Sequence, residues 1–109
     1  MITAAFCFDP TDKITKVSIS GHAEMASYGY DTVCASVSSL LIATINGLEE
    51  YVGLDTRATV NEGNTEFAVE TDDTVKSTQA QAIVHTFYMA MEGLEDEYGD
   101  YIQVTITED

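Results

Sequence analysis

The stretch SGHAEMASYGYDTVCASVSSLLIATINGLEEYVG, Ser20 to Gly53, decides the fold and carries the only constellation in the chain that looks like chemistry. Within it Val33, Val37, Leu41, Thr44, Ile45, Leu48 and Val52 recur at three- and four-residue intervals. At about 100° per residue this collects them into one apolar helical stripe. Asp31 is read as the N-cap of that helix, its carboxylate accepting from first-turn N–H groups, and Gly53 as its stop signal. On this reading Cys34 is the third helical residue, where unpaired N–H groups and the helix dipole favour a thiolate. His22 lies across the connection, just past the end of a strand. As neutral imidazole it can take the thiol proton, and as imidazolium it can stabilise the sulfur anion. Spacing alone leaves a second reading open, and the commoner one: Cys34, at the edge of the stripe, is a small hydrophobe packed in the core. The negative charge of Asp31 opposes a thiolate unless it turns toward the backbone or the imidazole.

Before this stretch, Ile2, Ala4, Phe6 and Phe8 alternate with Thr3, Ala5 and Cys7, the period of a half-buried strand. Asp9-Pro10-Thr11-Asp12 makes a turn, and Val17 and Ile19 mark the core face of a returning strand. Cys7 falls on the less apolar face and is read as structural. From His22 to Tyr30 the pattern is irregular, and Tyr28, Gly29 and Tyr30 are read as part of a loop between His22 and Cys34 able to close over a substrate.

After it, Arg57 to Val60 and Thr65 to Thr71 read as a second hairpin around Asn61-Glu62-Gly63-Asn64. A second helix is expected from about Thr74 to Tyr98, with the stripe Ala80, Ile83, Val84, Phe87, Met91, Leu94 and Tyr98. His85 falls on its solvent side. Glu92, Glu95, Asp96 and Glu97 crowd its C-terminal end, where negative charge opposes the dipole, so fraying or a basic partner is expected there. Ile102, Val104 and Ile106 alternate in a last strand. The order ββαββαβ, with one apolar stripe per helix and one apolar face on the sheet, predicts an α+β two-layer sandwich: a five-stranded mixed sheet and two helices, as one domain over residues 1–109.

Four lysines and arginines stand against nineteen acids, a net charge of −15. This argues against direct contact with nucleic acid or an anionic membrane and favours basic partners. The first residues lack the basic start of a secretory signal, and no apolar run is read as approaching the roughly 18–20 residues that cross a bilayer. A cytoplasmic protein with two reduced thiols is expected, and the cysteine spacing gives no zinc pattern.

Gly21-His22-Ala23, Gly29, Asp31, Val33-Cys34-Ala35 and Val37-Ser38 together resemble the signature of the ribosomal-processing cysteine protease family (Prp). Length, order of elements and the spacing between histidine and cysteine all match, and Ser36 is a departure, since the family often has alanine or glycine there. The resemblance implies a cysteine endopeptidase that removes the N-terminal extension of a bacterial large-subunit ribosomal protein and works without metal or organic cofactor. It assigns Cys34 as nucleophile, His22 as base and Asp31 as a possible orienting or capping group, and suggests a homodimer. The main rival is a non-catalytic acidic module that binds a basic ribosomal protein, with Cys34 in its core.

Overall fold

The computed structural model describes residues 1–21 and 28–109, the side chains of 28–30 excepted. Seven elements follow the expected order: β1 (Ile2–Phe8), β2 (Ile14–Ser20), α1 (Tyr28–Asn46), β3 (Thr59–Asn61), β4 (Asn64–Ala68), α2 (Thr74–Tyr98) and β5 (Ile102–Glu108). They build a mixed sheet of order β3-β4-β2-β1-β5, antiparallel except for the β1–β5 pair.

The β1–β2 turn is closed by Asp9, whose Oδ1 accepts from the Thr11 N–H at 2.8 Å, the Thr11 hydroxyl at 2.7 Å and the Lys13 N–H at 3.1 Å. Those bonds hold the Asp9 carboxyl below its usual range. The register pairs Ala4 with Ile19, Phe6 with Val17 and Phe8 with Ile14, so the alternating apolar residues of both strands share one face. Phe67 opposes Val17 on β4, and Ile102 lies beside Ile2 on β5. Both helices cover this face and the other is left uncovered, which is why Thr3, Ala5 and Cys7 are only half-buried. Phe6 contacts Phe87 and Tyr88 of α2 at ring-centroid distances of 5.9 and 4.9 Å. The Gln81 side chain straps α2 to β2, accepting from the Ile14 N–H and donating to the Ile14 carbonyl, both at 2.8 Å.

The stripe read for α1 is the one that packs: Val33, Val37 and Thr44 are buried, with Leu41 and Ile45 against the core. Past Asn46 the chain continues as a π-helical turn, Gly47–Val52, which buries Leu48 and Val52 and leaves Tyr51 80% exposed. Gly53, at φ 83°, ends it in the left-handed conformation.

Several expectations need correction. The helical stretch Asp31–Val52 is, by length and composition, apolar enough to cross a membrane. Reading for an unbroken apolar run missed this, because serines and threonines interrupt it; its buried stripe, Val33, Val37, Thr44, Leu48 and Val52, packs into the core. The second hairpin is shorter than read, since Arg57 takes a positive φ of 50° and β3 begins only at Thr59. His85 is half-buried rather than on open surface: its Nε2 lies 3.2 Å from the Asp12 carbonyl and its ring meets Phe8 edge-on. The C-terminal end of α2 keeps its helix to Tyr98 despite its charge. Two of its acids have internal partners, Glu92 accepting from the Tyr88 hydroxyl at 3.0 Å and Glu95 from the Val104 N–H at 2.7 Å.

Candidate active site

Cys34 is half-buried on α1 and lines a cleft of about 300 Å³. Ile2 and Ile19 form part of its wall, Gly21 closes the end of β2, Val37 and Ser38 continue α1, and the β3–β4 turn contributes Asn61, Gly63 and Asn64. Three segments distant in sequence therefore converge on the sulfur. Cys34 packs against the core on one side and lines the cleft on the other, so it is not fully enclosed.

Gly21 sets the geometry. Its N–H donates to the Gly63 carbonyl at 2.9 Å, tying the end of β2 to the hairpin tip. Its φ is 99°, and an added Cβ would lie 2.1 Å from the Met1 carbonyl oxygen, so no other residue fits without moving β1. The chain thus leaves the sheet at a fixed point on the cleft wall, and the next residue is His22. His22 itself lies outside the described residues.

Two parts of the sequence reading change. α1 begins at Tyr28, so Asp31 is an exposed residue of the first turn and not the N-cap. Counted from Tyr28, Cys34 is the seventh helical residue, not the third. Its own N–H belongs to the helical ladder, and any unpaired N–H groups at the helix start lie at least one turn before it. Dipole stabilisation of a thiolate fades beyond the first turn, and first-turn N–H groups are displaced as oxyanion donors. The error has a simple source: Asp31 is a good cap by residue type, but Tyr28, Gly29 and Tyr30, taken as loop, already have helical backbone.

The reading also missed the lining. Ser38, one turn after Cys34 on the same helix face, and the amide side chains of Asn61 and Asn64 are hydrogen-bonding groups around the cleft. The i, i+4 spacing announced Ser38; nothing in the sequence announced that the β3–β4 tip reaches the cleft. Asn64 Oδ1 accepts from the Ser18 hydroxyl at 3.5 Å.

A larger cleft, about 530 Å³, opens beside the start of α2, among Lys13, Asp72, Asp73, Ser77 and His85. It holds no cysteine and its histidine is engaged by the Asp12 carbonyl, so size does not make it the reactive site. Among the described residues no group of three or more His, Cys, Asp or Glu side chains is placed to hold a metal ion.

Comparison with known proteins agrees with this geometry. The model of the cysteine protease Prp family matches residues 1–103. The ribosomal processing cysteine protease Prp of Staphylococcus aureus is 31% identical over 107 residues, 95% of this chain and 97% of the relative. A crystal structure of the S. aureus ribosomal processing protease Prp with a substrate peptide superposes with a TM-score of 0.86 at 25% identity, covering 98% of this chain and 100% of that one. A second, with a covalently linked product peptide, gives 0.75 at 29% identity with the same coverage. With the family model matching residues 1–103, from β1 to the start of β5, and a homologue matched over 95% of this chain, the chain belongs to the Prp family of cysteine proteases.

Proposed function

We propose that this protein is the cysteine endopeptidase that removes the N-terminal extension of a bacterial large-subunit ribosomal protein, with Cys34 as nucleophile and His22 as base. The observation that carries the reading is the placement of Cys34 in a cleft whose wall includes Gly21, the residue from which the chain passes to His22. Cys34 Sγ attacks the scissile carbonyl while His22 accepts the thiol proton; His22 then protonates the leaving amine, and water hydrolyses the thioester. With Cys34 beyond the first helical turn, its activation rests mainly on the imidazole. The covalently linked product peptide on the S. aureus relative supports a thiol nucleophile. Asp31, exposed one helical turn before Cys34, is suited to orient the imidazole. The −15 charge suits a lysine- and arginine-rich substrate rather than nucleic acid, and a cytoplasmic site of action is part of the same proposal.

The test is cleavage of a ribosomal protein carrying its extension, followed by mass spectrometry, for the protein, Cys34→Ala and His22→Ala. Only the unsubstituted protein should release the extension. Equal cleavage by all three, or none by any of them on a substrate that a relative does process, rejects the assignment and returns the molecule to the acidic binding module. The pH profile of Cys34 alkylation tests activation separately, and an unperturbed thiol profile speaks against the dyad.

We also propose a homodimer formed through the helix layer. From Thr32 to Leu48 the chain carries no charge, yet only 28% of the apolar helical window is buried. Ile42 is 60% exposed, and Leu40, Ala43, Ile83 and Ala90 border an apolar groove between α1 and α2. A second copy bringing the same uncharged face would cover it.

A further inference from the structure

β5 is an edge strand of seven residues, and the hydrogen bonds around it fix which way its backbone faces. The Ile2 N–H donates to the Tyr101 carbonyl and the Asp109 N–H to the Phe8 carbonyl, so the odd-numbered residues of this stretch turn toward β1. Ile102, Val104, Ile106 and Glu108 therefore present their N–H and C=O groups outward. Such an edge is a template for another strand, and proteins ordinarily blunt it with lysine, proline or a bulge. The sequence IQVTITE has no lysine or proline, and β5 runs in unbroken register beside β1. Among the described residues the outward row has one plug: the Glu95 carboxylate accepts from the Val104 N–H at 2.7 Å. The N–H groups of Ile106 and Glu108 have no partner among the described residues, and Ile106 is 52% exposed.

The stretch of chain that carries this edge has charge of one sign. From Ser77 to the last residue there is no lysine or arginine, while Glu92, Glu95, Asp96, Glu97, Asp100, Glu108 and Asp109 fall in that stretch. Of the four cations, Lys16 and Arg57 are paired with Glu66 and Glu70, and neither Lys13 nor Lys76 lies on β5. A second copy would bring another acidic edge against this one and be repelled; an extended segment carrying lysine or arginine would be attracted.

We propose that the outer edge of β5, from Val104 to Glu108, is a docking site for an extended lysine- or arginine-bearing segment of a partner protein, which pairs as a sixth strand. The guest carbonyls take the N–H groups of Ile106 and Glu108, and a further one displaces Glu95 from Val104. The released carboxylate then pairs with a cation of the guest, so the group that blocks the edge in the unbound protein becomes a contact to the partner. This surface is separate from Cys34, and its failure would leave the protease reading untouched.

The probe is a short blocked peptide alternating lysine with threonine and valine, added to the full ¹⁵N-labelled protein at low salt. At ten times its Kd, the exchange of the Ile106 and Glu108 amides should slow about tenfold. The Val104 resonance should shift as its acceptor changes from carboxylate to carbonyl. The same peptide with glutamate for lysine should not bind, nor should one N-methylated at its pairing positions. Ile106→Pro removes an outward donor at a position where an edge strand accepts proline, and should abolish binding with the circular dichroism unchanged. Glu95→Gln should weaken binding about threefold, the size of one exposed charge pair. Equal binding of the N-methylated peptide, or a folded Ile106→Pro that binds like the parent, overturns strand addition. If Ile106→Pro fails to fold, the peptide series still decides. Protection of Ile106 that grows with protein concentration in the absence of peptide would identify a second copy and overturn the partner assignment.

Discussion

Gly21→Ala tests the physical core of the site. The added methyl group meets two obstacles: the φ of 99° is a conformation L-residues rarely adopt, and the new Cβ would sit 2.1 Å from the backbone oxygen of Met1. A strained backbone position of this kind costs about 1–3 kcal/mol. The clash cannot be relieved by a side-chain rotation, because the obstacle is the start of β1, which is hydrogen-bonded to β5 through the Ile2 N–H. A total near 3 kcal/mol is therefore expected. With an unfolding entropy of about 2.1 cal/mol/K per residue, each kcal/mol moves Tm by about 4 °C in a chain of this length, and Tm should fall about 10–15 °C. The change should also be felt at the cleft. The Gly21–Gly63 bond fixes where the chain turns toward His22, and a displacement near 1 Å can cost about a hundredfold in rate. Thermal unfolding by circular dichroism and kcat/KM for extension removal, measured well below the lowered Tm, read the two effects. Gly93→Ala is the control of opposite sign: a mid-helix glycine with nothing within 4 Å of its added Cβ, it should gain about 0.5–1 kcal/mol and leave cleavage unchanged. If Gly21→Ala unfolds within about 2 °C of the parent and cleaves normally, the reasoning from close approach and positive φ is wrong.

Other outcomes follow from single contacts. Thr56→Val removes the fully buried hydroxyl that donates to Glu49 Oε2 at 2.6 Å; since Glu49 is exposed and can rehydrate, the loss should be near 1 kcal/mol, about 4 °C in Tm. Tyr88 has its pKa raised by burial first and by the Glu92 carboxylate it donates to second. A raised folded pKa means its contribution is intact below about 10, the unfolded value, and is lost as pH rises through the folded one. Tyr88→Phe should therefore flatten the fall in Tm at alkaline pH, and a profile identical to the parent's would argue against it. Ile42→Glu, on the uncharged face of α1, should shift sedimentation from dimer to monomer without lowering Tm by more than about 0.5 kcal/mol equivalent, as expected at an exposed position; an unchanged dimer would put the interface elsewhere.

Periodicity settled the elements. The alternation through Ile2, Ala4 and Phe6 and the three-to-four spacing of Val33, Val37 and Leu48 leave each element one apolar face, and a sheet and two helices so patterned can hide them only in two layers. The cleft was legible in part: Cys34 stood out by residue type and lines it, while His22, read beside it, lies outside the described residues. Tertiary structure decided what local pattern does not encode. The start of α1 at Tyr28 moved Cys34 out of the first turn, since a cap-forming residue type marks where a helix can begin and packing chooses among such places. The strand order β3-β4-β2-β1-β5 brought the hairpin tip at Gly63 to Gly21 and left β5 at an edge, because pairing between strands far apart in sequence is set by which apolar faces fit together. Glu95, read from the sequence as an unfavourable charge at a helix end, is bound to the Val104 N–H, a partner that exists only once β5 has docked.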